Sequence, residues 1–114
     1  MNDLDAALAV FIQEAEELLI QMEQGLLLLE ETPSDKESIN NVFRAMHTIK
    51  GSAGLFGLEH VVAFCHCVET VMDALRKGQR MIDKQIISVL LSCKDFCSEL
   101  IEYNLSNQRA LVHK

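Results

Sequence analysis

The sequence predicts an all-α fold, an antiparallel up-down four-helix bundle, on three observations. Apolar residues recur in steps of three and four through four separate segments. The breaks between them carry the single proline, Pro33, and the turn-forming glycines Gly57 and Gly78. Leu, Ala, Glu and Ile abound, which favours helix over strand. At 114 residues the chain can bury one core, but it is short for a usual kinase or nucleotide-binding fold. Four amphipathic helices on short connections close most simply as sequential antiparallel neighbours.

The first helix is expected over Leu4 to Glu30. Its apolar stripe is Leu4, Leu8, Phe11, Ala15, Leu18, Met22, Leu26 and Leu29, with Glu14, Glu16, Glu17 and Glu23 on much of the other side. Ser34, with Glu37 three residues on, resembles a capping box, so a second helix starts there. It runs to about Phe56, and Gly57 is its stop. The third spans Leu58 to Lys77 and stops at Gly78. The fourth begins after Asp83 as N-cap and runs to Tyr103 or Leu105, on a stripe of Ile86, Val89 or Leu90, Cys93, Phe96 or Cys97, and Leu100. Residues 1–105 thus form the bundle. Residues 106–114 read as a polar tail that frays, or as the start of a linker.

The formal net charge of -7 argues against nucleic acid and against anionic membrane surfaces as partners. Asn2, Asp3 and Asp5 follow Met1 where a signal peptide would be basic, and no apolar run approaches the length of a membrane span. A cytoplasmic protein with reduced thiols is therefore expected. Cys93 and Cys97, four apart, read as small core residues. Cys65 and Cys67 flank His66, but on a helix they point about 200° apart and share one metal ion poorly. No metal site is expected.

The informative stretch is Phe43-Arg44-Ala45-Met46-His47-Thr48-Ile49-Lys50-Gly51-Ser52-Ala53-Gly54. With His47 at zero, Val42, Met46, Ile49, Ala53 and Phe56 cluster at about 220° and form the core side, so His47 faces water. Gly51 and Gly54 follow His47 at i+4 and i+7 on its own face, and Lys50 sits at i+3. Each glycine inside a helix costs about 1 kcal/mol relative to alanine. Glycines on an outward face point to close approach by another protein, because a missing Cβ opens a path to the imidazole.

On the third helix, Val61, Phe64, Val68, Val71, Met72 and Leu75 centre at about 250° from Glu69, and Glu69, His66 and Asp73 form a polar strip beside them. In an antiparallel pair Glu69 comes to a depth near His47. A carboxylate accepting from the imidazole Nδ1–H would fix the tautomer, leave the Nε2 lone pair free to attack a phosphoryl group, and stabilise the positive charge that forms. Lys50 can meet phosphoryl oxygens, and His66 can support Glu69. No P-loop or metal-binding carboxylate cluster is present in the sequence, so Mg-ATP must bind elsewhere.

These residues resemble the histidine phosphotransfer family, most closely the N-terminal phosphotransfer domain of CheA-type chemotaxis histidine kinases. The resemblance rests on His47-Thr48-Ile49-Lys50-Gly51-Ser52-Ala53-Gly54, the preceding Phe43-Arg44-Ala45, the later His66-Cys67-Val68-Glu69 and the opening Phe11-Ile12-Gln13-Glu14-Ala15-Glu16-Glu17-Leu18-Leu19. It implies that His47 is phosphorylated, that Glu69 hydrogen bonds it, and that Lys50 and His66 tune it. Gly51, Gly54 and Arg44 would dock the partner. It also implies a kinase catalytic domain that supplies the group from Mg-ATP, and CheY- or CheB-like response-regulator receivers that take it onto an aspartate, with no cofactor held by the domain itself. A fifth helix is common in the family; here it is expected to be short or absent, as in a piece of a larger kinase. The isolated domain is expected to be a monomer. Two other readings remain open. A purely structural bundle would place apolar residues where His47, Gly51 and Gly54 stand. A metal site built on His47, His66 and Glu69 would need ligands from several helices pointing inward.

Overall fold

The computed structural model describes residues 3–112, and side-chain surroundings for residues 3–106. Among the described residues there are four helices: α1 (Asp3–Glu31), α2 (Lys36–Leu55), α3 (Glu59–Arg76) and α4 (Lys84–Val112). α1 packs on α2, α2 on α3, α3 on α4, and α4 closes back on α1, so each helix lies beside its two neighbours around the bundle. This is the antiparallel up-down bundle that the periodicity predicts, 49 Å long and 19 Å across.

The turns follow from local chemistry. Asp35, not Ser34, caps α2: its carboxylate accepts from the Glu37 N–H at 3.1 Å and from the Ser38 hydroxyl at 2.9 Å. The expected box fails because the chain turns over Thr32–Asp35, where the Asp35 N–H donates to the Thr32 carbonyl, and the helix starts one residue later. α2 and α3 both end on a glycine with positive φ, 69° at Gly57 and 73° at Gly78. At each, the glycine N–H and the next N–H fold back on carbonyls of the last turn, Leu58 to Ala53 and Gln79 to Ala74. Asp83 caps α4 through the Ile86 N–H at 2.8 Å.

The core is one cluster, with Met22, Leu26, Met46, Ile49, Met72 and Ile87 among its buried members. Gly25 is part of it for a steric reason: a Cβ there would come within 3.0 Å of Val42 Cγ2, so its absence lets α1 and α2 close.

Several facing assignments change. Leu4 is exposed and Leu19, rather than Leu18, is buried on α1. On α3, Val71 is exposed and Cys65 takes a core position. On α4 the buried stripe is Ile87, Leu90, Cys97, Ile101 and Leu105: of the expected alternatives Leu90 and Cys97 are buried and Val89 and Phe96 exposed, while Ile87 and Ile101 replace Ile86 and Leu100. Lys94 and Asn104 obscured that face. Lys94 lies along it and reaches Glu23 of α1 at 3.3 Å, and Asn104 is buried. α4 also runs on to Val112, beyond the expected end at Tyr103 or Leu105, so the expected fraying tail is helix through Val112; His113 and Lys114 lie outside the described residues.

Cys65 and Cys97 meet in the core with their sulfurs 3.9 Å apart, and Cys67 is exposed. The hydrogen bond with Cys97, with burial, pushes the Cys65 thiol well above its ordinary range. In the native protein Ellman's reagent should therefore modify Cys67 quickly, and Cys65 and Cys97 only after unfolding. Asp35→Ala should lower stability in urea titration by about 1 kcal/mol, the usual worth of an N-cap.

Candidate functional site

The site sits on the long face shared by α2 and α3, and begins from a buried charge. Glu69 is 7% exposed, although it carries a carboxylate. A buried ion is tolerated when paired and hydrogen bonded, and Glu69 has both partners from α2. Its Oε2 accepts from Lys50 Nζ at 2.8 Å, and its Oε1 faces His47 Nδ1 at 3.1 Å. The antiparallel packing of α2 on α3 creates these contacts, since they join residues 19 and 22 apart in sequence.

His47 itself stays in water, its side chain 64% exposed. A carboxylate paired with Lys50 can only accept, so the imidazole's Nδ1–H donates to Oε1, and in the neutral ring Nε2 keeps its lone pair. This is the geometry of a nucleophile: one nitrogen tied down by a carboxylate, the other open to an electrophile.

Lys50 joins the site through the same carboxylate. Its ammonium holds Glu69 at 2.8 Å while the side chain stays 24% exposed, which leaves it reachable from solvent. His66 is exposed one turn before Glu69, and no side-chain hydrogen bond joins the two among the described residues. It lines, with Lys50, Gly54, Gly57 and Val62, an open groove beside the site. Arg44 is exposed on α2, where its guanidinium donates to Asn41 Oδ1 at 2.6 Å. Asp73 continues the polar strip of α3: Lys77 and Arg76 bind its carboxylate at 2.7 and 2.6 Å and hold its pKa below the usual range. Among the described residues no three His, Cys, Asp or Glu side chains converge as a metal would require.

Two residues near the site escaped the sequence reading of roles. The Phe43 ring lies beside the His47 ring, parallel within 7° with centroids 6.2 Å apart. The Arg76 guanidinium lies over Phe43 at 4.2 Å from the ring centroid. The i to i+4 spacing of Phe43 and His47 was visible in sequence; the reach of Arg76 across from α3 was not.

Gly51 and Gly54 are exposed, and the fold does not need either to be glycine. A Cβ on Gly51 would meet nothing within 4 Å, and one on Gly54 only Val62 Cγ2 at 3.9 Å. The bare strip therefore faces outward, where something other than this chain would use it.

Comparison with known proteins agrees with this geometry. The model of the Hpt domain family matches residues 6–106. The chain is 40% identical over 98 residues to the chemotaxis protein CheA of Rhizobium meliloti, covering 86% of this chain and 13% of that protein. Its fold is similar to the CheA phosphotransferase domain from Thermotoga maritima, with a TM-score of 0.83, 30% identity, and coverage of 92% of this chain and 99% of that one. It is also similar to the phosphorylated P1 domain of CheA3 in complex with CheY6 from R. sphaeroides, with a TM-score of 0.82, 26% identity, and coverage of 91% and 81%.

Gly51→Ala should raise stability by about 1 kcal/mol in chemical denaturation, because the methyl meets open space and helix propensity improves. A loss of stability would show that the fold itself requires the glycine.

Proposed function

The chain belongs to the Hpt domain family, and we propose that His47 is its phosphoryl carrier, loaded by an ATP-dependent histidine kinase domain and unloaded onto an aspartate of a response-regulator receiver domain. The observation that carries this reading is the exposed imidazole whose Nδ1 meets a buried, ion-paired carboxylate.

In the loading step the Nε2 lone pair attacks the terminal phosphorus of ATP. The N–P bond forms as the P–O bond to ADP breaks, and ADP leaves with the electron pair. The ring keeps its Nδ1 proton and becomes positive, and Glu69 stabilises that charge through the existing hydrogen bond. In the unloading step a receiver aspartate oxygen attacks phosphorus, the N–P bond breaks, and the pair returns to Nε2. Lys50, one turn along and partly exposed, supplies positive charge to the phosphoryl oxygens, and His66 adds a second polar group in the groove beside it. Gly51 and Gly54 keep the approach to His47 low, and Arg44 docks the partner on the same helix.

Magnesium and ATP belong to the kinase domain in this scheme, and the domain itself takes no cofactor. The matched CheA protein is much longer than this chain, which supports a phosphoacceptor domain of a larger chemotaxis-type sensor kinase. The R. sphaeroides domain in complex with CheY6 supports a CheY-like receiver. No described helix is long and apolar enough to cross a membrane, and the reading places the domain in the cytoplasm with its kinase. The core closes within one chain, which supports a monomer.

The test is labelling by an active CheA-type kinase core with Mg-ATP. Wild type should take an acid-labile, alkali-stable phosphate, and His47→Gln none. Glu69→Gln should fold and slow labelling by about a hundredfold. Gly54→Leu should load yet transfer poorly to a receiver. Absence of label on folded wild type would remove the carrier reading, and unchanged kinetics in Glu69→Gln would remove the role of the carboxylate.

A further inference from the structure

The phosphoryl-transfer geometry leaves two contacts of the site unused, the Phe43 ring beside His47 and the Arg76 guanidinium on Phe43. A hydrogen bond at Nδ1 tethers the imidazole at one atom and leaves the ring free to tilt about that tether. The protein does not wall the ring in, since the side chain is 64% exposed. Yet attack at phosphorus needs the Nε2 lone pair aimed along the line of the breaking bond, and small misplacements are expensive in rate.

Phe43 is placed to limit that tilt. It precedes His47 by one turn of α2, on the same side, and its ring is parallel to the imidazole within 7°. Phe43 is half-buried and packed against the core. Arg76 covers it from α3 at 4.2 Å, a contact that fixes a ring by attraction between cation and π face. Arg76 is in turn anchored by Asp73 at 2.6 Å, and Lys77 binds the other oxygen of that carboxylate at 2.7 Å. The polar strip of α3 thus reaches the histidine twice. Glu69 touches the imidazole, and Asp73 with Arg76, one and two turns further on, braces the neighbouring ring.

We propose that Phe43 and Arg76 are positioning residues for phosphoryl transfer, which hold the imidazole plane so that Nε2 points at the incoming phosphorus. The inference rests on His47 being the carrier. Neither residue touches the phosphoryl group; both act through the orientation of His47. An ordinary surface cation–π contact would leave the rate of the chemical step untouched, and a docking role would change KM instead.

The experiment compares wild type, Phe43→Leu, Phe43→Tyr and Arg76→Gln in labelling by the kinase core with Mg-ATP. It reads kcat and KM for the domain together with the NMR shifts of the His47 imidazole nitrogens. In Phe43→Leu and Arg76→Gln, kcat should fall about tenfold, with KM nearly unchanged. The nitrogen shifts in both should move as the ring tilts against its Nδ1 hydrogen bond, while the Nδ1–H tautomer that Glu69 fixes is kept. Phe43→Tyr keeps the ring and should behave as wild type. Arg76 is exposed, so Arg76→Gln leaves the core intact and decides the matter even if Phe43→Leu fails to fold. No label on the wild type would overturn the carrier reading and this inference with it. A labelled wild type, with unaltered kcat and shifts in the folded variants or with a rise in KM alone, would overturn this inference only.

Discussion

The structure around the site depends on a carboxylate that is all but withdrawn from water. Glu69 lies at the seam of α2 and α3, and a lone charge there would be too costly to bury. The cost is met by one salt bridge, to Lys50, and one hydrogen bond, to His47. Those contacts set the relative register of the two helices at this level. They also define the chemistry, because the oxygen left over by the lysine is the one that engages Nδ1. A neutral imidazole with an occupied Nδ1 has a single reactive nitrogen, and its exposure turns that nitrogen outward.

The bundle separates holding from exposing. Its inward faces are filled by Leu, Ile, Val and Met, and at Gly25 the missing side chain leaves room for Val42 of α2. Its outward face on α2 carries the opposite device, glycines that no contact in this fold requires. Such residues weaken a helix without improving its packing, so their use lies in what meets that face. The two turn glycines, Gly57 and Gly78, are different again. They sit at positive φ, where a side chain would be strained, and they fix the lengths of α2 and α3 on which the alignment of Glu69 with His47 depends.

Helix number, connection sites and much of the core could be read from periodicity, because burial of an amphipathic helix leaves a period of 3.6 in the sequence. The exceptions have particular causes. Ser34 and Asp35 are both good caps, and the local turn chose between them. On α4 the expected alternatives resolve to Leu90 and Cys97, but Ile86 and Leu100 give way to Ile87 and Ile101, because Lys94 and Asn104 stand on the buried side, where a hydrophobicity count rejects them. Cys65 was overlooked as core because it sits in a Cys-His-Cys run that draws attention as chemistry; its sulfur instead packs against Cys97.

The sequence by itself determined the four-helix architecture, the outward placement of His47, and the small residues that share its face. These are properties of one helix at a time, set by spacing along the chain. The tertiary structure alone decided that Lys50 pairs with Glu69, that Glu69 is buried, that His66 stands apart from it, and that Arg76 covers Phe43. Each of these is a contact or a separation that depends on how two helices face each other, and it turns on their register, rotation and side-chain rotamers. A shift of one residue in any helix turns its face by about 100°, so no spacing rule within a single segment can specify them.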